Sequence, residues 1–346
     1  MNILYKILSG TAVMLLLLTS CVKEQEVTMG KDENATITIS TATRADNAGD
    51  AEDRYINSLR VLGYNTTDGQ LAFNEEVFGI TTASTANEET FEKTVNVKTG
   101  KFTVVFIANE HKTPATSAML SGISPSSNNN ISYLRNTVSF PHEAFANDKD
   151  IPMVTIKENI IIQGDNMVID PGSSTPSAVL NKWPVAMERL GIRIDLTLKL
   201  TAAQVTEWTN DNGKIYFTNV PEEVFIFPET DNSGAFLPAD KEYSVSLTPT
   251  GTEGGLSVYK LSRIILPESS FTDLTKANAL TLKLKEGALT RLGAISAGTG
   301  TKYGTNGYTL PRNTYLGITA EIGETSLTFT INVMDWVDED MNHVLN

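Results

Sequence analysis

The sequence predicts an all-β protein made of two tandem antiparallel β-sandwich domains. Short apolar segments recur along the chain and are separated by Gly, Pro, Asn and Asp, a composition typical of strands joined by turns. Long stretches of helical periodicity are nearly absent, which argues against a parallel α/β sheet. A Pro- and Ser-rich segment at residues 170–177 (DPGSSTPS) divides the strands into two groups of similar size.

The first 20 residues are interpreted as an export signal. Lys6 gives a positive start, residues 7–18 are apolar but too few to span a membrane comfortably, and a Leu-Thr-Ser-Cys ending places Cys21 after small residues. This ending resembles the bacterial lipobox, which predicts a lipoprotein acylated on Cys21, for instance by palmitate, and anchored in the cell outer membrane. Because Cys21 is the only cysteine, an intramolecular disulfide is excluded, and acylation of Cys21 would leave no Cys-based metal site and no thiol nucleophile.

The segment 21–54 combines a short strand with a polar tether. Ala35, Ile37 and Ile39 fall on one face of a strand, and the residues from Arg44 to Arg54 are too polar to be buried. Such a tether is exposed and easily cut by a protease. We therefore predict that the strand is removable and that its removal leaves a groove for a strand of another chain.

The predicted N-terminal domain covers residues 55–180. Its expected strands lie at 56–64, 71–73, 102–108, 151–156, 160–162 and 167–169, and the segment FTVVFIA at 102–108 is apolar on both faces, as in a sheet covered on both sides. The Ser-, Asn- and Gly-rich residues 117–130 are expected to form a loop.

The predicted C-terminal domain covers residues 181–346. Apolar and polar residues alternate strictly over 190–200, which predicts a half-buried strand, and residues 202–208 are expected to form a short helix. In the last strand, 325–337, the alternation shifts phase near Val333 and Met334, which predicts a bulge there.

Several kinds of chemistry are disfavoured. The formal net charge of −14 argues against nucleic acid and anionic headgroups as partners, and the three histidines show no metal-ligand spacing. No nucleophile elbow or phosphate-binding loop is present, so we expect no catalytic residues, metal or cofactor. Trp208 lies among polar residues, a composition found at sugar-stacking sites, although such a Trp more often packs a corner of the sandwich.

These segments together resemble the fimbrillin family of Bacteroidales, the pilins that are assembled through a lipoprotein precursor. The likeness spans nearly the whole chain in the same order. It rests on the lipobox at Cys21, 58–62 (SLRVL) with the turn at 68–69, 102–109 (FTVVFIAN), 152–153 (PM), 187–194 (MERLGIRI), 310–315 (LPRNTY) and 333–336 (VMDW).

The resemblance implies two transthyretin-like domains and assembly by proteolysis-triggered strand exchange. An Arg-specific protease cuts after the first strand, and the vacated groove accepts a C-terminal strand of the next subunit. Carried onto this chain, the removable strand contains Ala35, Ile37 and Ile39, and the cut follows Arg44, with Arg54 as the alternative. The donor segment lies within 328–345 and contains Ile331, Val333, Trp336 and Val337.

The implied partners are other fimbrial subunits in a head-to-tail homo- or heteropolymer, the protease, the outer membrane through the lipid on Cys21, and a glycan or protein receptor for adhesion. Two alternatives remain open. The chain is either a non-polymerising fimbrial anchor or tip adhesin, or a surface glycan-binding lipoprotein that uses Trp208.

Overall fold

The computed structural model describes residues 33–43, 56–78, 90–145, 150–210, 214–227, 241–243, 249–266, 275–286, 289–296, 306–322 and 327–335. These residues fold mainly into β-strands that pack as sandwiched sheets, which confirms the all-β prediction. The first nine strands are β1 Asn34–Thr43, β2 Ser58–Asn65, β3 Leu71–Phe78, β4 Thr90–Lys98, β5 Gly100–Ala108, β6 Ser139–Pro141, β7 Met153–Gly164, β8 Met167–Ile169 and β9 Trp183–Arg189.

The N-terminal sheet has the order β3-β2-β5-β7-β9-β1-β4, with β8 paired to β7. Because β3 and β4, at the two ends of this order, also contact each other, the sheet curls around one apolar core. Two edge-to-face aromatic pairs lie in this core, Phe73 with Phe102 at 5.4 Å and Phe106 with Trp183 at 5.0 Å between ring centroids.

The outer face of β2 and β5 is also buried. This face belongs to a second apolar core, which also includes residues of two helices, α1 (Pro114–Ser121) and α2 (Ile131–Thr137). Single 3₁₀ turns lie at Glu110–Lys112 and His142–Phe145. Coverage on both faces explains the continuous apolar run of β5. The expected loop at 117–130 is wrong at its start, since residues 117–121 complete α1, where Leu120 supplies the buried contact.

The described C-terminal strands number ten, and all but β12 form two further sheets. They are β10 Ile192–Leu200, β11 Lys214–Thr218, β12 Glu223–Phe225, β13 Lys241–Tyr243, β14 Gly251–Glu253, β15 Leu256–Ile265, β16 Thr281–Glu286, β17 Leu289–Ala294, β18 Thr314–Ile322 and β19 Leu327–Asp335. One sheet has the order β14-β15-β10-β18-β19 and the other β13-β11-β16-β17. The alternation of β10 and the short helix after it, α3 (Ala202–Asn210), are both confirmed.

The two sets of strands share an apolar core. Residues of β2, β5, α1 and α2 are contiguous in this core with residues of β10, β15 and β18. The antiparallel pair β6–β12, centred on Phe140 and Val224, also crosses between the two sets. Within the C-terminal set, Arg312 holds the end of β12 by donating to the main-chain oxygens of Phe225 and Ile226 at 3.0 and 2.8 Å.

The predicted boundary at 180/181 falls before β9, but β9 pairs with β7 and β1 in the N-terminal sheet. The chain passes to the C-terminal sheet between β9 and β10, at Gly191. A Cβ atom there would lie 2.6 Å from Ile264 Cγ2 and 3.2 Å from the main-chain oxygen of Ile265, so the crossing requires glycine. The Pro- and Ser-rich segment at residues 170–177 forms a turn. Its composition does not determine which sheet the next strand joins.

The predicted bulge at Val333–Met334 is wrong. β19 pairs with β18 in unbroken antiparallel register from Leu327 to Asp335. The phase shift in the sequence therefore does not mark an extra residue in the ladder.

Candidate functional site

The predicted removable strand is an interior strand of the N-terminal sheet. β1 pairs antiparallel with β4 from Asn34 to Ala42 and parallel with β9 from Ile39 to Thr43. We call the space that β1 occupies between these neighbours the β1 groove.

One face of β1 is inserted into the core. Ala35 is 3% exposed, and Ile37, Ile39 and Thr41 are fully buried, whereas Thr36, Thr38 and Ser40 are half-buried on the opposite face. Burying each isoleucine contributes roughly 1.5–3 kcal/mol of transfer free energy. The alternation predicted from the sequence is thus the alternation between core and surface.

The hydroxyl group of Thr41 is buried without a hydrogen-bond partner among the described residues. A buried hydroxyl in this state costs about 1–3 kcal/mol, because it has lost its water and gained no replacement. β1 therefore fits its groove less well at Thr41 than at Ile37 or Ile39.

A turn between β7 and β8 flanks the first half of β1. Thr36 N–H donates to Asp165 Oδ1 and Thr38 N–H donates to Asn166 Oδ1, each at 2.7 Å. In return, Asn166 N–H donates to the main-chain oxygen of Thr36 at 2.8 Å. The contact of this turn with β1 depends on the fold, because the bonded residues lie more than 120 positions apart in the sequence.

The predicted donor residues lie partly in β19. This strand is at an edge of the five-stranded sheet, where its described partner is β18. Ile331 is half-buried and packs against the core of its own chain, and Val333 pairs with Leu316 in the ladder. Trp336 and Val337 lie outside the described residues.

The other processing residues are also outside the described part of the chain. They are the lipidation candidate Cys21 and the cleavage candidates Arg44 and Arg54. Arg44 directly follows Thr43, the last residue of β1.

Trp208 does not form the predicted sugar-stacking surface. Its side chain is 1% exposed and belongs to the apolar core, so the corner-packing interpretation is correct. Helix α3 turns this residue inward although its neighbours in the sequence are polar. The sequence-based support for a glycan site at Trp208 is therefore lost.

Sequence reasoning missed a buried ionic cluster in the apolar strand β2. Arg60 forms two 2.7 Å bonds with the carboxylate of Glu110 and a 2.7 Å ion pair with Glu76. It also donates to Asn74 and Ser121. Burial, reinforced by the neighbouring Glu110 carboxyl, raises the pKa of Glu76 although Arg60 opposes this shift. An Arg inside an otherwise apolar strand was the available signal for such a cluster.

A shallow polar cavity of about 540 Å³ lies over β10, β15 and β18. At its centre, Asp195 accepts hydrogen bonds from Ser262, Tyr315 and Arg193. These bonds join three neighbouring strands, so the carboxylate already has partners from its own chain.

Within the described ranges, no group of three or more His, Cys, Asp or Glu side chains is placed to hold a metal ion. No helix found among those same residues has the length and apolar character needed to cross a membrane.

The family model described as "Major fimbrial subunit protein (FimA)" matches residues 34–140 of the chain. This match begins at the first residue of β1 and ends in β6, and it confirms the resemblance to fimbrillins over that region. No curated protein matches the chain.

Solved structures of fimbrial proteins share the fold of the chain. The tip fimbrial protein Mfa3 from Porphyromonas gingivalis, with a C-terminal truncation, is 15% identical, with a TM-score of 0.54 over 87% of this chain and 100% of that one. The fimbrilin FimA of Porphyromonas gingivalis is 16% identical, with a TM-score of 0.51 over 88% and 98% of the two chains. A fimbrial assembly protein from Parabacteroides distasonis is 10% identical, with a TM-score of 0.51 over 88% and 99%.

Proposed function

We propose that this chain, whose residues 34–140 match the model of the major fimbrial subunit family, is a structural subunit of a surface fimbria that supports adhesion. We further propose that it joins its neighbours by strand exchange at the β1 groove. The observation that carries this proposal is the position of β1, an interior strand that ends one residue before Arg44.

The physical driving force follows from what β1 covers. Removing an interior strand exposes unpaired N–H and C=O groups of β4 and β9, together with the apolar slot that Ile37 and Ile39 fill. Such a groove is strongly driven to accept another strand. A contact in which a strand of one subunit fills a groove of the next is head-to-tail and therefore propagates into a filament.

The donor strand is proposed to come from the C-terminal region. Ile331 and Val333 can act as donors only after β19 leaves β18, which would break nine paired positions in the C-terminal sheet. Trp336 and Val337 follow the last paired residue of β19, Asp335, so their use as donors breaks none of these nine pairs. We therefore place the start of the donor segment at the end of β19.

Export, anchoring and domain organisation complete the proposal. Cys21 carries the lipid that holds the precursor in the outer membrane, and an Arg-specific protease of the cell surface removes residues up to Arg44 or Arg54. The strands up to β9 and those from β10 onward form the two sandwich domains, with a structural and not an enzymatic role.

The test is to treat the purified, unlipidated protein with an Arg-specific protease and to compare it with the variants Arg44→Ala and Arg54→Ala. We expect a new N-terminus at Ala45, loss of the β1 fragment and growth of oligomers in size-exclusion chromatography. The double variant Arg44→Ala/Arg54→Ala, which keeps neither cleavage site of the tether, should stay monomeric. Cleaved protein that keeps β1 and stays monomeric under all conditions would overturn the proposal.

A terminal subunit, either an anchor or a tip adhesin, is the second candidate. It is favoured by the pairing of β19 within its own sheet, because a chain that keeps this strand can accept a neighbour's strand but donates none. In that case the native surface form would begin at acylated Cys21, or the cleaved form would add one partner and stop.

A further inference from the structure

β1 has two different neighbours along a single edge. β9 flanks only residues from Ile39 to Thr43, since its ladder with β1 begins at Trp183. The first half of β1 meets the turn Gly164-Asp165-Asn166 of the β7–β8 hairpin instead. An extended strand is therefore held by a ladder at one end and by a turn at the other.

The turn supplies the hydrogen-bond donors and acceptors that a neighbouring strand would otherwise supply to the first half of β1. The side chains of Asp165 and Asn166 accept hydrogen bonds from the main-chain N–H groups of Thr36 and Thr38, respectively. The main-chain N–H of Asn166 donates to the main-chain oxygen of Thr36. The left-handed backbone of Asn166, with φ of 51°, allows the tight turn that presents these groups. The carboxylate of Asp165 makes one of the bonds charge-assisted and hence stronger than a bond between neutral groups.

These contacts involve only main-chain atoms of β1. They are consequently independent of the identity of the side chains at Thr36 and Thr38, and any extended segment in the same phase can make them. The bonds to the turn are nevertheless coupled to the direction of the side chains. Backbone groups of alternate residues point to the same strand edge, and alternate side chains point to the same sheet face. Bonding Thr36 and Thr38 to the turn requires Ala35, Ile37 and Ile39 to face the core.

We propose that Asp165 and Asn166 form an acceptor site for an extended peptide segment. The site holds the first half of β1 and binds the main chain of the strand that replaces it. A strand shifted by one residue would still offer its amides to the turn but would direct its other face into the core, so the apolar side chains set the register. The part of this proposal that concerns the replacing strand rests on the proposed strand exchange, whereas the part that concerns β1 does not.

The first test uses hydrogen exchange of the full, uncut chain. The double variant Asp165→Ala/Asn166→Gly removes both acceptors and keeps a residue that tolerates the left-handed backbone. We expect the amides of Thr36 and Thr38 to exchange about tenfold faster, since each loses a hydrogen bond, while the amides from Ile39 to Thr43 keep their rates.

Asp68→Ala is the matched control. Asp68 accepts a 2.9 Å bond from Gln70 N–H in the turn between β2 and β3, so this variant also removes a turn carboxylate but leaves β1 untouched. Unchanged exchange at Thr36 and Thr38 in the double variant, or an equal rise in the control, would overturn the proposal.

The second test uses protein cut at the tether and a synthetic peptide with the sequence of residues 33–43. The cut double variant should lose its own strand faster and bind the peptide about tenfold more weakly than the cut parent protein. Equal peptide affinities would overturn the acceptor site for an incoming strand. If the amides respond as expected but the cut parent takes up no strand at all, strand exchange fails as a function while the acceptor site for β1 stands.

Discussion

At the scale of single residues, Thr41 and Glu76 carry polar groups whose burial opposes folding. The hydroxyl of Thr41 lies in the core of β1 without a partner, and the carboxyl of Glu76 shares the guanidinium of Arg60 with Glu110. Burial of an unpaired hydroxyl or of an incompletely neutralised carboxylate lowers the stability of the folded state. Both effects are measurable by conservative substitution.

Thr41→Val should stabilise the uncut protein by about 1 kcal/mol, because valine keeps the shape of threonine and removes the unsatisfied hydroxyl. Chemical denaturation measures the change. Ser40→Val is a useful comparison, since Ser40 is half-buried on the other face of β1 and should not give the same gain. A loss of stability in Thr41→Val would mean that the hydroxyl has a partner.

Glu76→Gln should become progressively more favourable relative to the parent protein as pH rises from 4 to 7. Burial raises the pKa of Glu76 in the folded state, so folding retains a proton that the unfolded chain loses. The stability that protonated Glu76 contributes is therefore fully present below the pKa of Glu76 in the unfolded chain. It is lost as pH rises through the pKa of Glu76 in the folded protein. Glutamine cannot ionise and does not show this loss.

The measurement for Glu76 is the free energy of unfolding of both proteins at several pH values. Glu75, the preceding residue of β3, gives the control variant Glu75→Gln, because its side chain lies on the opposite face of the strand from Glu76. Parallel pH profiles for the parent and Glu76→Gln would show that the carboxyl is not destabilised by burial.

At the scale of elements, β1 differs from the strands around it in how it is connected. Its residues pair with β4, with β9 and with the Asp165–Asn166 turn, yet its only covalent link to the rest of the described fold is the segment that begins at Arg44. The contacts with these three neighbours hold the strand in position. Its core side chains should therefore control both stability and release.

Ile39→Ala should lower the free energy of unfolding by about 2–5 kcal/mol, because it removes a fully buried side chain and leaves a cavity. After cleavage at the tether, the same variant should release β1 faster than the parent, as followed by mass spectrometry of the retained fragment. Ser40→Ala, on the half-buried face, should stay within about 0.5 kcal/mol of the parent protein. Similar losses for both variants would contradict the placement of Ile39 in the core.

At the scale of the whole molecule, the two sets of strands are joined by a common core. The pair β6–β12 and the shared apolar cluster both connect residues before Gly191 with residues after it. A continuous core of this size favours cooperative unfolding of both parts. Removal of β1 from one sheet should leave this connection in place, since β1 packs in the separate core of the N-terminal sheet.

Phe140→Ala should destabilise both parts of the molecule together, by about 3–5 kcal/mol, because Phe140 is fully buried in the shared core. Hydrogen exchange in denaturant, read separately for β5 and β10, should show the same loss of protection in each. The control is Leu292→Ala, at a side chain that is 59% exposed, which should change stability by less than about 0.5 kcal/mol. Loss of protection confined to β5 would show that the two parts unfold independently.

The sequence was sufficient wherever a local pattern reports local structure. Alternation of apolar residues predicted β1 and β10. It was insufficient where a residue's environment is set by distant neighbours. Trp208 is surrounded by polar residues in sequence but is buried in space, and residues 117–121 look like a loop but form a turn of α1.

What the amino-acid sequence determined by itself is the set of strands and which face of each strand is apolar, because side chains alternate along a strand with a period that needs no partner. What only the tertiary structure decided is how those strands pair. It placed β9 beside β1, brought Asp165 and Asn166 against the amides of Thr36 and Thr38, and kept β19 on β18. Pairing depends on main-chain hydrogen bonds between segments far apart in the chain, and every residue type except proline offers the same donor and acceptor for them.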